Sequence, residues 1–141
     1  MKSILLYLWQ LPQNLLGLLL FHVRAYKPLR EIEFRSHRVL ICDMFPGGIS
    51  LGHYILVDFR REAWDAGRQE HVRMELRYSI RHEFGHSRQS EYLGWLYLPV
   101  VGLFSGVHNL CHRFGCARGN YYRYWCEAWA NRLGGIPKYG L

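Results

Sequence analysis

Whatever fold this chain adopts has to serve the pentad His82-Glu83-Phe84-Gly85-His86, an HExxH pattern set in a run from Val72 to Leu93 that is free of proline and rich in helix-forming residues. On the helix this run predicts, residues four apart stand one above the other, so His82 and His86 share a face. They can present imidazole nitrogens to a single ion about 2.0–2.1 Å away. Glu83 points to an adjoining part of the surface. There its carboxylate reaches a water held by the ion without becoming a ligand, which is where a general base belongs. Zinc would bring the pKa of that water toward ~7. A catalytic zinc also takes a third protein ligand and keeps one position open, so a distant residue must fold back onto this helix.

The chain holds eight histidines, so the pentad alone decides little. Nearby residues do not supply the third ligand. Tyr92 and Gln89 stand where a metzincin pattern has histidine and glycine, Ser90 is a poor zinc ligand, and Glu91 is rotated off the face. A better source is Tyr121 to Leu133, a second helical run closed by Gly134-Gly135. Glu127 and Asn131 are four apart and share a face, and the small Ala128 and Ala130 allow close helix packing. With HExxH on one helix and a glutamate followed four residues later by an amide on another, the chain resembles the gluzincin group of zinc peptidases. The resemblance implies Zn²⁺ held by His82, His86 and Glu127. It also implies that Asn131 supports a histidine ligand through a hydrogen bond that fixes its tautomer. Asparagine stands where the best-known gluzincins have aspartate, so the support would carry no charge. The likeness covers the two site helices and not the rest of the chain.

At 141 residues the chain is expected to form one domain. Its net charge of +7 and pI near 9.5 come from dispersed basic residues, which suit nucleic acid, anionic lipid headgroups or acidic substrates without choosing among them. Cys42, Cys111, Cys116 and Cys126 contain no C-x-x-C pair and read as reduced thiols.

Residues 4–23, Ile4 to Val23, are strongly apolar but interrupted by Gln10, Pro12, Gln13 and Asn14. The segment predicts a retained, membrane-associated helix whose Gln10, Gln13, Asn14 and Gly17 turn inward. Arg30 to Asp43 and Ile49 to Phe59 read as two strands of one antiparallel hairpin, joined by a turn at Met44-Phe45-Pro46-Gly47-Gly48. The gluzincin resemblance makes Gly48 to Tyr54 the edge strand that binds substrate backbone, with Gly52 either leaving room for it or marking a bulge. Residues 92–110 are apolar again, but a membrane span there would put the histidines and Glu127 on opposite sides. Pro99, Gly102 and Gly106 instead suggest a hairpin of two short helices, either dipping into the interface or buried in the core. Tyr7, Trp9, Tyr92, Trp95 and Tyr97 suit a membrane boundary, and Arg24, Lys27, Arg30 and Arg88 suit anionic headgroups.

His108 and His112 lack an intervening glutamate and read as structural or interfacial, and Tyr121 and Tyr124 either only pack near the site or offer one donor to a developing oxyanion. The expected fold is therefore α+β, a minimal zincin-like core with an apolar N-terminal helix and an apolar hairpin. The expected function is zinc-dependent hydrolysis of a peptide or protein at a membrane, with the site facing the cytoplasm. Two alternatives stand beside it. One is a zinc-stabilised membrane-associated protein without hydrolytic activity. The other is a basic module for anionic lipid or nucleic acid, which leaves Glu83 unexplained.

Overall fold

Val39 to Cys42 and Tyr54 to Val57 are apolar at almost every position, the pattern of strands covered on both faces. The computed structural model describes residues 2–22, 28–43 and 47–137. It places both runs at the centre of a four-stranded mixed sheet built from β1 (Pro28–Phe34), β2 (His37–Cys42), β3 (Gly48–Leu51) and β4 (Tyr54–Asp58), in the order β1-β2-β4-β3. Among the described residues six helices complete an α+β arrangement. They are α1 (Lys2–Trp9), α2 (Leu11–His22), α3 (Arg61–Asp65), α4 (Gln69–Leu93), α5 (Leu103–Arg113) and α6 (Trp125–Gly134).

Side chains alternate across a strand, so each central strand feeds two cores. Val39, Ile41, Ile55 and Val57 meet Ile80 and Phe84 of α4 on one face. Leu40, Cys42 and Leu56 meet Leu20 and Phe21 of α2 on the other. At the outer strand β1, Ile32 and Phe34 pack inward while Glu31 and Glu33 face solvent, as the alternation predicts.

The pairing differs from the single hairpin expected. Each stretch is a hairpin by itself, β1 with β2 and β3 with β4, and the two hairpins join through a parallel pairing of β2 with β4. The first turn uses Arg35 and Ser36, both with positive φ (48° and 64°). A turn of that kind normally advertises itself with asparagine or glycine, and here neither is present. Packing of the Arg35 guanidinium on the rings of Phe34 and Phe84 helps to hold it. Gly52 takes the positive-φ corner of the second turn, so it is neither a bulge nor a free edge residue. The predicted turn from Met44 falls largely on residues 44–46, outside the described residues, as do Val23, Arg24 and Lys27.

The N-terminal apolar segment is two helices rather than one. The chain breaks at Gln10, and Pro12 sits in the first turn of α2, where its missing N–H leaves no bond unmade. The inward polar stripe is present: Gln10, Gln13, Asn14 and Gly17 are buried. Gln13 Nε2 donates to Ser90 Oγ at 2.8 Å and to the Gly94 carbonyl at 2.9 Å, and Asn14 Oδ1 accepts the His53 N–H at 2.8 Å.

The second apolar stretch bends earlier than predicted. Gly94 ends α4, and a 3-10 turn (Gly94–Leu96) and a π turn (Leu98–Gly102) lead into α5, so that the two arms meet at 119°. Pro99 lies in the first turn of the second arm, and Gly102 and Gly106 do not interrupt it. Among the described residues no single helix is long and apolar enough to cross a membrane.

The second site helix α6 crosses α4 at very short range. A methyl group on Gly85 would stand 1.9 Å from the Ala130 carbonyl oxygen, and one on Gly134 would stand 2.2 Å from the Arg81 carbonyl oxygen. Both contacts are to backbone, which cannot swing aside. Gly85→Ala is therefore expected to force the helices apart, lowering stability by about 2 kcal/mol or more in a denaturant titration.

Candidate metal centre

That crossing brings four side chains together. His82 and His86 rise from successive turns of α4, and their Nε2 atoms lie 3.0 and 3.2 Å from the same oxygen, Oε2 of Glu127 on α6. All three residues are buried, and a ligand atom from each lies within 4.8 Å of the others. Asn131, one turn beyond Glu127, has its Oδ1 at 2.7 Å from His82 Nδ1. His82, His86, Glu127 and Asn131 thus lie together, the arrangement that the gluzincin resemblance implies.

One supporting residue escaped the sequence reading. Gln89 donates its amide N–H to the Cys126 carbonyl at 2.7 Å, an acceptor that fixes which end of the amide is oxygen. That oxygen faces His86 Nδ1 at 2.7 Å, so Nδ1 must carry the proton. The Asn131 oxygen does the same for His82. Each histidine is thereby held in the tautomer whose Nε2 lone pair faces inward. Gln89 lies three residues past His86 on the same helix, and that spacing is the signal that was open to recognition.

The donor set fits a divalent cation. Two imidazole lone pairs and a carboxylate oxygen converge with no hydrogen between them unless an imidazole takes a second proton. Two ligands on a tetrahedral ion with bonds of about 2.0 Å stand about 3.3 Å apart, close to the His-to-Glu separations seen here. The other carboxylate oxygen of Glu127 accepts from Ser105 Oγ at 2.6 Å and lies 3.5 Å from the Cys126 thiol. Ser105 sits on α5, and nothing in its local sequence marked it.

Glu83 is buried beside this cluster, on the side of the sheet. A methyl group on Gly48 of β3 would lie 2.4 Å from Glu83 Oε1, so only glycine there leaves the carboxylate its place. Burial pushes the Glu83 carboxyl above its usual range, and the two imidazoles pull it partway back. Burial opposes charge on Glu127 as well, but the His82 and His86 imidazoles, when either takes a second proton, outweigh this and hold its carboxyl low. For His82, burial disfavours the imidazolium, while the hydrogen bond to Glu127 and the Glu83 charge outweigh burial and raise its pKa.

Around the cluster, Tyr122 sets its ring against His82 at 5.3 Å. Tyr121 and Tyr124 instead stack on His108, whose Nε2 lies 3.3 Å from the Tyr121 carbonyl. His108 and His112 thus belong to an aromatic stack and form no metal group among the described residues. All four cysteines are free thiols.

Two predictions arise from this geometry. Gln89→Ala or Asn131→Ala releases one imidazole and is expected to weaken zinc binding about 10- to 100-fold, read by competition with a chromogenic chelator. The second concerns pH. A raised His82 pKa contributes stability that is present below 6.5 and lost as pH rises through the folded value. Metal-free protein should therefore lose thermal stability across that window. Zinc-loaded protein should gain it, because metal must displace the same proton. Parallel melting curves at several pH values distinguish the two trends.

No family model matches the sequence, and no curated protein or solved structure matches it either.

Proposed function

We propose that the chain is a zinc-dependent peptidase of gluzincin-like type, built on a minimal zincin-like core. The observation that carries this reading is the convergence of His82 Nε2, His86 Nε2 and Glu127 Oε2, with both imidazole tautomers held by amide oxygens and Glu83 buried alongside. A bound zinc would polarise a scissile carbonyl and acidify water. Glu83 takes a proton from the attacking water and returns it to the leaving amine, a task suited to a carboxyl raised above its ordinary range.

The sheet supplies a place for an extended peptide. β3 is an outer strand, and Gly48 lies against Glu83. In its ladder Gly47, Ile49 and Leu51 bond to β4, leaving the backbone groups of Gly48 and Ser50 directed outward. The Tyr97 hydroxyl already occupies the Ser50 carbonyl at 3.2 Å. A peptide added here pairs at Gly48, beside the general base, and stops at Ser50.

A second reading rests on how closed the cluster is. His82 and His86 are only 7% and 5% exposed and Glu127 is fully covered, which suits a zinc site that stabilises the protein and admits no substrate. Incubation with a diverse peptide library separates the two. Cleavage that a chelator abolishes and zinc restores supports the peptidase; zinc binding without cleavage at any peptide supports the structural site.

A further inference from the structure

Two of the helices, α2 and α5, are turned inside out, and α1 is exposed along its apolar residues. In α2 the polar Gln13 and Asn14 are fully buried, while Leu15 and Leu19 are more than half exposed. Ile4 and Leu5 of α1 are each 66% exposed. α5 is amphipathic but buries no residue. Its polar side meets the protein through Ser105 on Glu127 and His108 on Tyr121, and Leu103 and Val107 face outward, 61% and 50% exposed. A helix in water turns its apolar stripe to the core. Here Gln13 Nε2, Asn14 and Ser105 find partners inside the protein, and the apolar stripes are left for whatever lies outside.

These surfaces are tied together. Trp9 Nε1 donates to the Glu91 carbonyl at 3.0 Å, and Trp95 Nε1 donates to the Leu8 carbonyl at 3.2 Å. α1 and the bend after α4 therefore form one platform, with two half-exposed indoles along its seam. Such a platform exceeds the scattered apolar exposure of ordinary surfaces.

Charge selects the occupant. Residues 1–30 contain no aspartate or glutamate and carry Lys2, Arg24, Lys27 and Arg30. Residues 92–126 likewise contain no acid and carry Arg113, Arg118 and Arg123. Every element of the platform is drawn from these two acid-free stretches. A second copy seated on it would bring two chains of charge +7 together. An anionic bilayer offers both an apolar boundary and opposite charge.

We propose that the outward faces of α1, α2 and α5 seat the protein on the surface of an anionic lipid bilayer. The helices lie in the boundary between headgroups and acyl chains and do not cross it, in line with their length and the 119° bend. Because Ser105 of α5 donates to Glu127, the lipid-facing helix and the candidate metal centre share one hydrogen bond. The proposal does not depend on hydrolysis.

Sedimentation of the full chain with vesicles tests it, using phosphatidylcholine alone and phosphatidylcholine mixed with phosphatidylglycerol. The parent is expected to pellet with the anionic vesicles, less so as salt rises. Leu103→Glu combined with Val107→Glu should lower that partition about tenfold or more, as should Leu5→Glu combined with Leu8→Glu on a separate helix. Arg113→Gln should lower it about fivefold. Met74→Glu, an exposed residue of α4 outside the platform, should leave it unchanged. Circular dichroism and zinc affinity check that the variants remain folded. A parent that stays in the supernatant overturns the proposal. So does binding unaffected by both double variants, or a dimer in vesicle-free buffer that the same substitutions dissolve.

Discussion

Glu127→Ala is expected to abolish zinc binding at the proposed metal centre. Structural zinc sites contribute about 10–16 kcal/mol shared over four ligands, so losing one costs about 3 kcal/mol, a hundredfold or more in affinity. The loss should be larger here than at an exposed site, because Oε2 of Glu127 is the single atom on which both imidazoles converge. The substitution also strips the Ser105 hydroxyl of its acceptor and removes the anion that raises the His82 pKa. Equilibrium dialysis of zinc against parent and variant measures the effect. Glu127→Gln, which keeps the volume, separates loss of the charge from loss of packing. A variant that retains parental zinc affinity would place the metal elsewhere.

Glu83→Gln should behave oppositely, with zinc retained and hydrolysis lost. The amide has the shape of the carboxylate it replaces, so it fits beside Gly48. It cannot take a proton at neutral pH, and removal of a positioned general base typically costs about 10²–10⁴ in rate. Because the Glu83 charge helps to raise the His82 pKa, its removal should also make zinc binding slightly less sensitive to acid. Turnover of a cleavable peptide, beside zinc content of the same samples, reads both effects. Undiminished turnover in the variant removes Glu83 from the chemistry.

Much of this centre was legible because a helix converts sequence spacing into shape. His82 with His86, and Glu127 with Asn131, are pairs four apart, and each pair lands on one face. The meeting of the two helices depends on Gly85 and Gly134. In the sequence Gly134 marks a helix stop, and in the structure it is also a point of closest approach. Ser105 was invisible because no local pattern ties α5 to Glu127. The sheet misled for another reason. Two runs apolar at successive positions carry no period, and the Arg35–Ser36 corner contains neither glycine nor asparagine, so each hairpin passed for one strand. The buried stripe of Gln10, Gln13 and Asn14 was legible, whereas the break at Gln10 was not taken from Pro12 two residues on.

X-ray absorption of the zinc-loaded protein tests most directly whether His82, His86 and Glu127 share one ion. A shell of nitrogen and oxygen alone at about 2.0–2.1 Å is expected, with imidazole scattering from two histidines that disappears in His82→Ala combined with His86→Ala. A sulfur shell near 2.3 Å would hand the metal to the cysteines and contradict that expectation.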